Sequence, residues 1–299
     1  MAITFGKPLS QGTGDSPSIA VNDQLIAVSV HVEGGSIVYR VGTVDKKNKT
    51  LQLGDKRPLA AGAYPFIAIN NNNLVVCVFE RNNEDVYSVA GTLNGNSIEF
   101  GPEKKYDSGK RPSVGVNDDG RALEVHMSES GAGVYCRVGP FDHSTRTIKF
   151  GGSSKYDTGQ VPKVALNGTA AVEVHRSESS TYNLHYNLGT VQGSSHELEG
   201  GILYYDVRKG GASSDATPSP SVALTNNQIA IGFQDQGEGD SQLSYFFGRV
   251  SGNKIGWPET PTPIDKVFGT APNVAVNNGG VAVVTFTRNR VLQYLVGTF

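Results

Sequence analysis

One stretch of this chain is written twice. Tyr106 to Gly139 reads YDSGKRPSVGVNDDGRALEVHMSESGAGVYCRVG, and Tyr156 to Gly189 reads YDTGQVPKVALNGTAAVEVHRSESSTYNLHYNLG. Its core, a proline followed by a short apolar run that ends at a turn residue, occurs six times. The copies are SPSIAVND at Ser16, YPFIAINN at Tyr64, RPSVGVND at Arg111, VPKVALNG at Val161, SPSVALTN at Ser219 and APNVAVNN at Ala271. Prolines 17, 65, 112, 162, 220 and 272 stand 48, 47, 50, 58 and 52 residues apart. Six units of about fifty residues use the whole chain, and a fixed period of that size means a solenoid, a propeller or an array.

Within a unit four strand signals recur. The first is the run after the proline, Val114–Val116 in the third unit. Its proline sits at the strand start, where no ladder donor is needed. A turn of the Asn117-Asp118-Asp119-Gly120 kind follows. The second strand, RALEVHMS, alternates with period two, and the third, GVYCRVG, is rich in residues that suit a pleated strand. The fourth is TIKFG, written SIEFG at Ser97; a longer polar segment then leads through Tyr-Asp-Ser/Thr-Gly to the next proline. No segment of ten or more residues has helical periodicity.

Four antiparallel strands repeated at this period describe a propeller blade. The last unit ends at a third strand, VLQYLVGTF, with no fourth after it. The first residues carry an orphan fourth strand, Ile3-Thr4-Phe5-Gly6, matching Ile98-Glu99-Phe100-Gly101 and Ile148-Lys149-Phe150-Gly151. The expectation is one all-β domain over residues 1–299, a six-bladed propeller of four-stranded antiparallel blades. Residues 2–8 complete the last blade beside 291–299, which removes an open sheet edge.

Composition narrows the function. The net charge is −2 with no basic block, which argues against nucleic acid as a partner. No apolar run reaches the length of a membrane span, and MAITFGKPL lacks the pattern of a signal peptide. A cytoplasmic protein, or one released without such a peptide, is expected. Cys77 and Cys136 lie inside apolar strand runs in different units and read as buried free thiols. The extra residues of the fourth unit, 192–219, read as a loop, an outer hairpin or a lid. Trp257, assigned to the sixth unit, stands where other units have Phe100 or Phe150 and reads as outer-strand packing. None of the sequence patterns HExxH, CxxC, GxSxG, Walker-type glycine loop or DxDxDG calcium loop is present, so no metal or cofactor is expected.

Second strands aligned from their prolines place Ser29, Cys77, Glu124, Glu173, Gly232 and Val284 at one position. His31, Phe79, His126, His175, Gln234 and Phe286 stand two residues on. Two readings stay open. In one the position is packed and buried, and Glu124 takes Arg137 as its partner. In the other, loops that emerge on one face gather Tyr106, Asp107, His126, Ser128 and Glu129 in one unit and Tyr156, Asp157, His175, Ser177 and Glu178 in the next. Those groups would form repeated shallow sites for a polar ligand. His143, His185 and His196 fall outside the pattern and read as surface residues. No single central constellation that breaks the repeat stands out, which weighs against catalysis.

The layout PSVGVNDDGRALEVHMSESGAGVYCRVG resembles repeats of bacterial and fungal β-propeller lectins of the tectonin and Photorhabdus-lectin type. Those have a proline-led first strand, an Asn/Asp-Gly turn, a second strand and an aromatic-rich third strand. They carry tryptophans in most blades, whereas this chain has Trp257 alone. With repeated weak sites acting together, the expected function is glycan binding by a lectin that is not an enzyme, open to oligomerisation. A protein-interaction scaffold or toxin component, and a propeller-fold glycan hydrolase or lyase, are the alternatives.

Overall fold

The computed structural model describes residues 2–82, 84–178, 183–193, 195–205, 219–226, 229–234 and 242–299. They form six antiparallel sheets, each a blade, arranged in chain order around one axis. Blade 3 shows the plan: an inner strand Lys110–Val116, a second strand Arg121–Met127, a third strand Val134–Asp142 and an outer strand in two pieces, Thr147–Ile148 and Ser154–Asp157. Both outer pieces pair with the third strand. The polar segment before prolines 17, 65, 112, 162 and 272 is therefore mostly strand. It ends in the Tyr-Asp pair of blade 2's outer strand, Lys104–Ser108. In blade 4 the outer strand is one piece, Ser195–Tyr205, so the long spacing of that unit begins as a longer strand. Residues 206–218 of the same insertion lie outside the described residues.

The ring closes as its orphan ends require. Thr4–Phe5 pairs with Gly297 and Thr298, and Leu9–Thr13 pairs with Val291–Tyr294, so the N-terminal segment is the outer strand of blade 6. The register also confirms the aligned second strands. Ile19, Ile67, Val114, Val164, Val222 and Val274 pair in turn with Ser29, Cys77, Glu124, Glu173, Gly232 and Val284.

Hydrophobic cores sit between blades rather than within them. One joins Phe66, Val76 and Val78 of blade 2 to Val114, Val116 and Phe141 of blade 3; another joins Leu123 and Val125 of blade 3 to Val164 and Leu166 of blade 4. Each sheet is thus covered on both faces. Alternation in RALEVHM does not mark a solvent face, and Ala122 through Met127 are all buried. Cys77 and Cys136 lie inside these cores as free thiols, and burial pushes the Cys136 thiol up to about 12. Trp257 belongs to blade 5, not the sixth unit, and packs edge-on against Tyr186 and Phe246 beside the core between blades 4 and 5.

At one end of the axis, the turn asparagines lock neighbours together. Asn117 Oδ1 accepts from the Arg121 amide at 2.9 Å and closes its own turn, while its Nδ2 donates to Gly168 O of the next blade at 2.8 Å. Asn70 does the same toward Asn117 O, and Asn277 toward Asn22 O across the ring closure. Asp118 and Asp23 each accept two bonds from Asn71 and Asn278, which adds a second hydrogen-bonded tier. The Asn that ends five of the six apolar runs, with Thr225 in the fifth, is there because a buried turn at a blade junction must satisfy its polar groups.

Candidate functional site

The repeated polar groups meet at the blade seams, not on open walls. Tyr106 and Asp107 come from the outer strand of blade 2 and reach across to blade 3. His126 is 1% exposed and Glu124 0%. The His126 Nδ1 lies 3.0 Å from Glu124 and its Nε2 lies 3.3 Å from Asp107. Arg137 does not pair with Glu124, the partner expected for it. Its Nε and Nη2 each donate to Asp107 at 2.7 Å, and its Nη1 donates to Gly151 O at 2.8 Å. Burial pulls the His126 pKa down, but the Glu124 and Asp107 carboxylates outweigh it and hold the imidazole above its ordinary value. Burial, then Glu124, push the Tyr106 phenol well up.

The next seam repeats the arrangement with one change. His175 sits 3.0 Å from Glu173, and its pKa is raised in the same way, against burial, by Glu173 and Asp157. In place of Arg137 stands Asn187, which donates to Glu173 at 2.8 Å. Asp157 lies 3.7 Å from His175, and the Tyr156 phenol is buried. His185 is half-buried and stacks on His175 with ring centroids 5.5 Å apart, so it is not a free surface residue. His143 is exposed, and the His196 side chain lies outside the described residues.

A glycine seals each His. A Cβ on Gly109 would come within 2.5 Å of the His126 ring, and one on Gly159 within 2.3 Å of the His175 ring. The glycine of the Tyr-Asp-Ser/Thr-Gly motif is required by this close approach. Ser128 and Ser177 close their own loops, bonding to the amides of Gly133 and Asn183. Glu129 and Glu178 are exposed. Tyr106, Asp107 and His126 meet at one seam and Tyr156, Asp157 and His175 at the next, but His126 and His175 present no surface to a ligand.

At the proline end of the axis the six inner strands surround a funnel, with an internal volume of about 70 Å3. At roughly 10–15 Å3 per water, this holds a handful of waters or one pendant group of a larger molecule. A register shift at the proline, seen on the inner strands of blades 1, 2, 3, 4 and 6, puts a bulge in the strand. The residue before the proline then takes a left-handed conformation: φ is 51° at Ser16, 48° at Tyr64, 54° at Arg111, 54° at Val161 and 53° at Ala271. That conformation is disfavoured before proline and most unusual for β-branched Val161. All of these residues line the funnel.

The residue after the proline normally ties one blade to the next. Ser18 Oγ accepts from the Ile67 amide, Ser113 Oγ from Val164, Ser221 Oγ from Val274 and Asn273 Oδ1 from Ile19, at 2.8–3.1 Å. Blades 2 and 4 break the rule with Phe66 and Lys163, which cannot accept. Both line the funnel, and the Lys163 Nζ sits 4.9 Å from the Phe66 ring centroid. Beside them the Arg111 guanidinium stacks over Tyr64 at 3.5 Å. The Arg111 amide donates to the buried carboxylate of Glu80 at 3.2 Å. Burial, then the charge of Arg111, bring the Lys163 amine down to about 7. A central constellation that breaks the repeat therefore exists, contrary to the expectation from sequence. Its signal was present in the residues flanking the prolines, which read SPS, YPF, RPS, VPK, SPS and APN.

No family model and no curated protein matches this chain. Solved structures of similar shape do. The Trypanosoma rangeli sialidase has a TM-score of 0.58 at 12% identity over 96% of this chain, which spans 55% of the sialidase. The α-L-arabinanase of Penicillium chrysogenum complexed with arabinobiose gives 0.61 at 11% identity, covering 98% of both chains. An Aleuria aurantia lectin in complex with Fucα1-6GlcNAc gives 0.65 at 10% identity, covering 96% of this chain and 93% of the lectin.

The chain has the six-bladed β-propeller fold. At these identities the likeness is one of fold, and it includes a propeller lectin. It also overturns the expectation of a lectin that is not an enzyme, because sialidases and an arabinanase stand prominently among the similar structures. The alternative expectation, a propeller that cleaves glycans, fits these comparisons better.

Proposed function

We propose that this protein is a glycan-cleaving enzyme, with a hydrolase the first choice, and that its centre is the axial funnel. The observation that carries this reading is the break in sixfold repetition. Phe66 and Lys163 replace residues that bond neighbouring blades, and Tyr64 and Arg111 replace small residues at the mouth. A fold gives up seam bonds at a cost of about 0.5–1.5 kcal/mol each; a site that needs those side chains supplies a reason. An aromatic ring and directed donors at the mouth of a concavity suit a sugar ring. Similar folds that act on glycans, the sialidases and the arabinanase, support the same reading.

Among the described funnel-lining residues there is no pair of carboxylates of the usual glycosidase kind. Tyr64 is the candidate nucleophile, in the manner of glycosidases that use tyrosine. Glu80, buried behind the funnel wall and bonded to the Arg111 amide, holds that strand in place. The test is release of reducing ends from a panel of neutral and acidic oligosaccharides by wild type, Tyr64→Phe and Lys163→Met. Cleavage by wild type, reduced at least 100-fold in both variants at unchanged melting temperature, is expected. No cleavage of any substrate, or full activity in both variants, defeats the assignment.

A further inference from the structure

Among the described residues, the funnel's cations and one of its donors face no counter-group. Neither the Arg111 guanidinium nor the Lys163 amine forms an ion pair among these residues, the Glu80 carboxylate being bonded to the Arg111 backbone amide, and the charge that acts on Lys163 is that of Arg111, which repels it. Asn273, 4% exposed, lines the same cavity; its Oδ1 accepts from Ser18 Oγ and the Ile19 amide, while its buried Nδ2 has no acceptor. At the two blade seams described above, by contrast, the enclosed charges are matched: Arg137 with Asp107, His126 with Glu124 and His175 with Glu173. Two like charges and an orphan donor facing one cavity are unfavourable unless an anion completes them.

We propose that the funnel binds the carboxylate of an acidic sugar, with Arg111, Lys163 and the Asn273 amide on the anion and the Tyr64 ring against the sugar. This rests on the glycan reading above and specifies its substrate class. The guanidinium offers a two-pronged match to a carboxylate, and the ammonium adds a point charge. Each cation is also held on an aromatic face, which fixes its position before the ligand arrives. The cavity has room for a carboxylate and not for a whole sugar, so the ring would rest at the mouth, where Tyr64 lies. An anion beside Lys163 reverses the effect of Arg111 and favours the protonated amine. Binding above pH 7 therefore takes up a proton, and affinity falls as pH rises from 6 to 9.

Titration calorimetry on the full chain tests this with glucuronate, galacturonate and N-acetylneuraminate, the neutral sugars glucose and galactose, and inorganic sulfate as probes. At least one sugar acid should bind, at least tenfold more tightly than the neutral sugars, and Arg111→Met and Lys163→Met should each weaken it tenfold or more. Circular dichroism and melting temperature show that the variants are folded. Equal binding of acidic and neutral sugars, binding unchanged in both variants, or no binding of any sugar acid overturns the proposal. Sulfate binding as tightly as every sugar acid also overturns the sugar assignment, and with it the glycan reading, though the cation pair would remain an anion site. A sugar acid that binds as expected but is never cleaved sustains this inference while the enzymatic reading fails.

Discussion

The seam between blades 1 and 2 and the seam between blades 2 and 3 are built on the same backbone and filled in opposite ways. The first uses Leu59, Ala60, Cys77 and Phe79, and Phe79 stacks on Tyr87 with centroids 5.9 Å apart and planes at 14°. The second puts Tyr106, Asp107, Glu124 and His126 in the corresponding places, and His126 stacks on Tyr135 at 5.9 Å and 15°. The ring geometry is preserved while the chemistry changes from apolar to ionic. What the fold requires at this position is a flat ring under a glycine: Gly62 against Phe79, Gly109 against His126. The ionic filling carries a desolvation cost that its internal bonds must offset, so a buried charge network is weak grounds for extra stability. The recurrence of Glu-x-His in blades 3 and 4 is one solution to a packing problem that Cys-x-Phe and Val-x-Phe also solve.

The largest way to break the comparison is to remove one partner from the ionic seam. Glu124→Leu leaves His126 buried without its nearest counter-charge and should cost about 3–5 kcal/mol. Cys77→Ala, at the matching place in the apolar seam, should cost visibly less. Urea unfolding of both variants measures the difference; equal losses would mean that the carboxylate is not part of a coupled network.

A smaller effect is expected from the glycine. Gly109→Ala pushes a methyl into the His126 ring and the Met127 carbonyl, each 2.5 Å from the new atom, and overpacking of this kind costs about 1–3 kcal/mol. A variant as stable as wild type would remove the close-approach account of the motif.

The smallest effect sharpens the comparison. Grafting the apolar seam onto the ionic one, Tyr106→Leu, Asp107→Ala, Glu124→Cys, His126→Phe and Arg137→Val (the counterpart of Val89) together, should change stability by no more than about 1.5 kcal/mol at pH 6, because the whole network leaves at once. It should also flatten the pH profile. The His126 pKa is raised on folding, so its contribution is fully present below the unfolded value near 6.5 and is lost as pH rises through the folded value. Asp107 is shifted down: burial opposes, but bonds from the Ser108 amide and Arg137 prevail. Its contribution is present above the unfolded carboxylate value near 3.9 and lost as pH falls through the folded one. The ionic seam therefore contributes most between about pH 4 and 6.5. Melting temperatures of wild type and graft from pH 3 to 9 should converge at the extremes; parallel curves would show that the network does not titrate with folding.

Much of the architecture was legible from local pattern. The proline period, the Asn-Asp-Gly turns and the orphan strand in Ile3-Thr4-Phe5 are properties of the chain read in order, and together they determined six blades and a closed ring. The alignment of Glu124 with Cys77 and Val284 was readable for the same reason, since strand register follows from counting residues along a repeat. The placement of Glu124 and His126 was not. Alternation in one strand does not say whether its second face meets water or a neighbouring blade, and here both faces are covered.

The residues flanking the prolines carried a signal, but the axial funnel itself was decided by tertiary structure. Tyr64, Phe66, Arg111 and Lys163 lie in three different repeats, up to a hundred positions apart, and each looks like a small lapse in its own unit. Only the bulge at the prolines of blades 2, 3 and 4 turns the preceding side chain inward, and only closure of the ring brings the three inner strands to one axis. The sequence by itself determined the period, the strands and the way the ends meet, because those follow from neighbours along the chain. Which lapses face one another, and that their charges are left unmatched in a shared cavity, was decided by the ring, because distance across the axis is not encoded in any one repeat.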